Sequence, residues 1–130
     1  VTPRCLNRLQ EVHPDLQKVI LHADSLYPGE FIVTEGKRSI ERQQYLFDTK
    51  KSKTMRSRHV PESNACKMPC AVDLAVMNGS DVTWDFKKYK ELAAVVKQAA
   101  KAVGVPIEWG GDWKTFLDGP HFQLPWKEYP

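Results

Sequence analysis

CAVDLAVM, residues 70–77, is the stretch on which the reading of the fold turns. Its apolar and β-branched residues fit a strand, and Asn78-Gly79 behind it is a turn signal, with Val82, Thr83 and Trp84 as the returning partner. One residue breaks the apolar run, Asp73. A carboxylate buried in a strand needs a cation or several donors. Either Asp73 faces solvent from a half-exposed strand, or a positive group meets it.

Working outward, Leu6, Leu9 and Val12 suggest a short amphipathic helix with Pro3 near its start. Pro14 opens a second, with Leu16, Val19, Ile20, Ala23 and Leu26 on one face, and Pro28-Gly29 ends it. FIVTEG (31–36) reads as a strand, and Ser39 caps a helix through IERQQYLFDTK. Residues 50–69 are polar and form a long loop, a length often associated with function. Asp85 caps the clearest helix, where Phe86, Tyr89, Leu92, Ala93, Val96, Ala99, Ala100 and Val103 recur at helical spacing. Its lysines at 87, 88, 90, 97 and 101 face outward, and Gly104 and Pro106 stop it. IEW (107–109) and HFQL (121–124) are short strands around a Gly- and Trp-rich loop. Helices and strands are segregated rather than alternating, so the fold class is α+β.

The 130 residues fit one domain, long enough for a core without staples. A net charge of +3 suits an anionic polymer but falls well short of a nucleic-acid-binding tail. No run approaches the roughly 20 apolar residues of a membrane span, and no secretory signal is visible at the N-terminus, so synthesis in a cytoplasm is expected. Cys5, Cys66 and Cys70 are too few for a disulfide scaffold. They read as free thiols, with a Cys66–Cys70 loop disulfide as the alternative in an oxidising compartment.

Two metal readings follow. A structural zinc site needs four ligands, usually two close pairs. Cys66 and Cys70 make one pair and no second pair exists, so a knuckle with His59 and a distant fourth ligand is disfavoured. The other set is His59, Asp73 and His121, three ligands that leave a position open, as in catalytic zinc sites. Each histidine alone is as readily structural or exposed. In DGPH (118–121), Asp118 can reach the site across a tight Gly-Pro turn as general base, or is simply a turn residue. Arg38 in EGKRS (35–39) can polarise a carbonyl or hold a substrate carboxylate, or lie on the surface.

Together these segments resemble the zinc peptidases of the D-alanyl-D-alanine carboxypeptidase/dipeptidase type, above all the phage endolysins that act as L-alanyl-D-glutamate endopeptidases. TEGKRSIERQQYLF is similar to the family's EG-x-RS-x₃-Q segment, and KSKTMRSRH followed by AVDL to its S-x-H and A-x-D metal segment. WGGDW (109–113) and DGPHFQL complete the order, so the resemblance runs from about Leu6 to Leu124. It implies a hedgehog/DD-peptidase-like fold, a small antiparallel sheet flanked by helices, with Zn²⁺ held by His59, Asp73 and His121. It also implies Asp118 as catalytic base and Arg38 as the electrophilic residue. Ser57, Gln43 and Asp112 match positions expected to bind substrate or support the site. One departure stands out. The family pattern H-x-x-G-x-A-x-D puts the Asp seven positions after the His, whereas here Asp73 comes fourteen positions after His59, with both cysteines in the insert and Pro69 at the glycine position. The insert is expected to bulge out beside the cleft and shape access to it.

The implied activity is hydrolysis of peptidoglycan stem peptides by a monomeric single-domain endolysin, without a separate wall-binding domain. It would wait in the host cytoplasm until the membrane is breached. The stem peptide is anionic, which suits the lysines at 50, 51, 53, 87, 88, 90, 97 and 101. The alternatives are a D-alanyl-D-alanine carboxypeptidase and a non-catalytic, zinc-containing peptidoglycan-binding relative.

Overall fold

The computed structural model describes residues 3–52, 54–114 and 117–130, with side chains from residue 6 onward; Lys53 and the Cys5 thiol lie outside the described part. Four helices, α1 (Pro3–Leu9), α2 (Pro14–Leu26), α3 (Ile40–Asp48) and α4 (Phe86–Val103), accompany five strands. These are β1 (Glu30–Glu35), β2 (Ala71–Asn78), β3 (Asp81–Thr83), β4 (Glu108–Trp109) and β5 (His121–Gln123). The helix stops and starts follow the sequence signals. Ser39 accepts a hydrogen bond from Arg42 N, Asp85 accepts one from Lys87 N, and Gly104 closes α4 in the left-handed region at φ 74°.

All sheet pairings are antiparallel, in the order β1-β2-β5-β4. β2 is central. One edge pairs with β1, and the other is shared, β5 taking Ala71–Asp73 and β3 taking Val76–Asn78. Side chains alternate across a strand, and the register sorts them cleanly. Phe31 and Val33 of β1, Val72, Leu74 and Val76 of β2, and Phe122 of β5 enter the core. There they join Leu16, Val19, Ile20 and Ala23 of α2 and Tyr89, Leu92, Ala93 and Val96 of α4. The opposite face carries Asp73, His121 and Gln123, and Glu35 joins them through a register shift in β1 after Val33.

Three helix-face expectations need correction. Leu6 is 39% exposed, Leu26 40% and Phe86 43%, because the short α1 turns Leu9 rather than Leu6 to the core and the other two sit in terminal turns; Val12 is buried but lies past the end of α1. The insert between His59 and Asp73 also behaves differently from expectation. No residue from 60 to 70 lines the groove. Asn64 folds the segment back on itself: its Nδ2 donates to the carbonyls of Arg58, Val60 and Met68, and its Oδ1 accepts from Arg58 Nη1. Pro69 O accepts from His13 N and Ala65 N donates to Pro130 O, so the insert is stitched to the α1–α2 turn and the C-terminal residues. Cys66 and Cys70 are free thiols with Sγ atoms 3.8 Å apart, so the alternative disulfide is not formed. Burial pushes the Cys70 thiol up to about 12, which keeps it protonated at neutral pH.

Tyr89 locks α4 to the sheet through one hydroxyl, which accepts from Val76 N at 3.2 Å and donates to Thr83 O at 2.8 Å. Tyr89→Phe leaves the buried Val76 N–H without an acceptor. The expected loss is about 1–3 kcal/mol of unfolding free energy, read as a lower urea midpoint at unchanged slope.

Candidate active site

Sheet register builds the first part of the site. Asp73 pairs directly with His121 across β2–β5, and with Glu35 across β1–β2, where a bulge at Thr34 shifts the register. Residues directly opposite share a face, so Glu35, Asp73 and His121 form a row over three strands. His59 arrives from the long loop and is docked by two hydrogen bonds, its carbonyl accepting from Arg38 N and its Nδ1 meeting Gly36 O, both at 2.8 Å. Gly36 itself is required by its other neighbours, the end of α1 and the turn after it, since a Cβ there would sit 2.8 Å from Arg8 O and 2.9 Å from Val12 Cγ1. Ser57 Oγ accepts from His59 N at 3.2 Å and supports the turn.

The hydrogen bonds fix which ring nitrogen carries the proton. Gly36 O only accepts, so His59 Nδ1 donates and Nε2 presents a lone pair. Gln123 Oε1 lies 2.7 Å from His121 Nε2, which donates to it and leaves Nδ1 with a lone pair. Both lone pairs point at one oxygen: His59 Nε2 and His121 Nδ1 are each 3.3 Å from Asp73 Oδ1. His59 Nε2 is buried without a hydrogen-bond partner, although it lies that close to the carboxylate, because two acceptors face each other. The three groups' ligand atoms all lie within 4.8 Å of one another. Ligand separations of about 3.3 Å suit a tetrahedral ion with bonds near 2.0–2.1 Å. The donor set therefore fits a metal cation. Burial opposes charge on both partners, yet the carboxylate–imidazole contacts outweigh it, holding Asp73 well below the usual carboxylate range and raising His121.

Asp118 is positioned by the loop that precedes β5. Its N–H donates to Gly110 O at 3.1 Å and its carbonyl accepts from His121 N at 3.2 Å, while Trp109 Nε1 donates to Gly119 O at 2.7 Å. Gly110 is obligatory here, because a Cβ would overlap the Asp118 carbonyl. Burial raises the Asp118 carboxyl above its ordinary range and the negative Asp73 adds to this, against the opposing charges of His121, His59 and Arg38. Arg38 stands at the other side. It forms an ion pair with Glu35, donates through Nη1 to Gln43 Oε1 at 2.8 Å, and lies 4.0 Å from Asp73 Oδ2. Its Nε is buried with no hydrogen-bond partner.

These side chains share one groove of about 690 Å³, lined by Arg38, Ser57, His59, Asp73, Asp118 and His121 and widened by Trp113 and Trp126. The structure thus brings together the residues singled out in the sequence, with two qualifications. Gln43 is fully buried and acts from behind, accepting from Arg38 and donating to Ser52 Oγ and Thr54 O. Asp112 does not line the groove and instead pairs with Lys97 of α4 at 2.5 Å. The sequence reading missed Gln123 and Glu35. Gln123 follows His121 by two residues, and period-two spacing within a strand was the available signal.

A family model described as phage L-alanyl-D-glutamate peptidase matches residues 1–124. The chain belongs to that family. It is 33% identical to the L-alanyl-D-glutamate peptidase of Listeria phage A118 over 77% of its length, and spans about a third (32%) of that relative. It is 31% identical to the Bacillus subtilis peptidoglycan L-alanyl-D-glutamate endopeptidase CwlK, covering 91% of this chain and 80% of that one. Among solved structures, the Serratia marcescens L-Ala D-Glu endopeptidase ChiX superposes with a TM-score of 0.87 at 40% identity, over 98% of this chain and 91% of that one. The vancomycin-resistance D,D-dipeptidase VanXYg, at 18% identity and a TM-score of 0.53 over 87% of this chain and 50% of that one, shares the fold.

Gln123→Leu keeps the volume and removes the acceptor that sets the His121 tautomer. Metal affinity should fall about 10- to 100-fold, measured by competition with a chromophoric chelator, with the circular dichroism spectrum unchanged.

Proposed function

We propose that the chain is a zinc-dependent peptidase that hydrolyses peptidoglycan stem peptides at the bond between L-alanine and D-glutamate, in the lysis step of a bacteriophage. The observation that carries this reading is the position of Asp118. It lines the same groove as the three converging ligands, and its proton affinity is raised by burial and by Asp73. A purely structural metal site needs no such neighbour. The relatives' names give the bond, and two nitrogen donors with one carboxylate oxygen, leaving a position open, favour zinc.

Zn²⁺ bound by His59, Asp73 and His121 would polarise the scissile carbonyl and acidify the attacking water. Asp118 accepts a proton from that water as the new C–O bond forms and delivers it to the amide nitrogen as the C–N bond breaks. A carboxyl with a raised pKa holds this proton between the two events. Arg38 lines the groove and offers its positive charge to the oxygen on which negative charge develops, and Glu35 and Gln43 fix the guanidinium in place. Gly36 O and Gln123 Oε1 keep the imidazoles in the ligating tautomers.

Among the described residues no helix is long and apolar enough to cross a membrane. We place the protein in the host cytoplasm until membrane permeabilisation admits it to the wall, acting there as a monomeric catalytic domain.

Purified protein should clear suspensions of outer-membrane-permeabilised Gram-negative cells. Chelator should stop the clearing and zinc restore it. Mass spectrometry of the products should show new N-terminal glutamate; release of D-alanine alone would instead identify a carboxypeptidase. Asp118→Asn should retain zinc while losing about 10²–10⁴-fold in kcat, followed by release of labelled muropeptides; unchanged turnover would remove Asp118 from the mechanism.

A further inference from the structure

Beyond the ligands, two exposed cations line the groove without a visible task, Lys51 and Arg56, and of the two Arg56 is the one seated on an aromatic ring. Arg56 is exposed and lines the groove. No carboxylate among the described residues lies within ion-pairing distance of it; the groove's other central arginine, Arg38, is neutralised by Glu35. Arg56 is nonetheless held in place. Its guanidinium stacks on the Trp126 ring at 4.1 Å from the centroid, and that of Arg58 stacks on the same ring at 3.9 Å. One indole thus carries both guanidinium groups.

Arg58 is the fixed member of this trio. It is buried, and donates to Leu124 O, Tyr129 O and Asn64 Oδ1. Its charge is therefore committed, and it pins the indole. The backbone beneath Arg56 is anchored as well. Arg56 N donates to Thr54 Oγ1 at 2.9 Å, and Thr54 O accepts from the buried Gln43, which also receives Arg38. One glutamine thus sets the positions of both arginine-bearing segments. A second hollow of about 320 Å³, lined by Thr54, Arg56, Trp126 and Pro130, extends the groove past this pair.

A preorganised, uncommitted guanidinium on an aromatic face is a carboxylate receptor. We propose that Arg56, seated on Trp126, binds a free carboxylate of the substrate on the leaving side of the scissile bond. This deepens the peptidase reading and rests on it. In an alanyl–glutamyl substrate, the glutamate follows the cleaved bond and has two carboxyl groups. Whichever carries the chain onward, the other stays free and anionic within a few bonds of the reacting carbonyl. Arg38 is already paired, and of the two uncommitted cations Arg56 is the one held in place on an aromatic face, so it is the one preorganised to read that charge.

The test uses two zinc-loaded proteins and two peptides. The peptides are acetyl-L-alanyl-D-glutamate extended by alanine through the γ-carboxyl, with the α-carboxyl either free or converted to the carboxamide. Wild type should favour the acid. Arg56→Gln should lower kcat/KM for the acid about 10- to 100-fold, through KM with kcat little changed, while leaving the amide substrate unaffected. Arg56→Lys should recover part of the preference, because charge without the planar fork is an incomplete substitute. Equal loss on both peptides, or no loss on either, would overturn the subsite and leave the peptidase reading intact. Hydrolysis of neither peptide by wild type would overturn that reading and the subsite with it.

Discussion

The site rests on the convergence of three acceptors on one point. Asp73 Oδ1 faces a lone pair from His59 and another from His121, each at 3.3 Å. Such an arrangement repels itself unless a cation or two protons intervene. The rest of the fold can be understood as what holds these groups together. β2 is paired along both edges and so cannot shift, and β5 is locked to it in a register that places His121 opposite Asp73. A slip of one residue would turn both ligands into the core. The hydrophobic face of the sheet, with Val72, Leu74, Val76 and Phe122 against α2 and α4, is therefore what fixes the register.

The third ligand comes from outside the sheet and is held differently. His59 depends on backbone hydrogen bonds to Arg38 and Gly36 at the end of β1. This tolerance explains how the family's spacing can be broken. A long insert between His59 and Asp73 is harmless if its ends return to the same places. Asn64 brings this about by gathering three carbonyls of its own loop.

Much of this was legible in the sequence, because the strongest signals are local. Ser39 and Asp85 mark helix starts by the hydrogen bonds their side chains make, and Gly104 marks a stop by its left-handed backbone. Asp73 was conspicuous because a charge inside CAVDLAVM contradicts its surroundings. What was not legible depends on contacts distant in sequence. Gln123 has no meaning until the protonated nitrogen of His121 is known, and Glu35 none until the β1 bulge aligns it with Asp73. The inward path of the insert is set by Arg58, Asn64 and Pro130, which lie far apart in the chain. Asp112, prominent in WGGDW, turned out to bridge to a helix.

The hydrogen bonds of Arg58 bear on where this domain can be cut. The family-model match ends at residue 124, and a boundary drawn there would appear natural. Yet Arg58 donates to Tyr129 O, Ala65 N donates to Pro130 O, and Tyr129 donates its hydroxyl to Asp15. The last six residues form a strap between α2 and the segment that carries His59. A minimal expression fragment designed from similarity alone would thus discard the strap while keeping every ligand, and would lose the rigidity of the ligand loop rather than its chemistry.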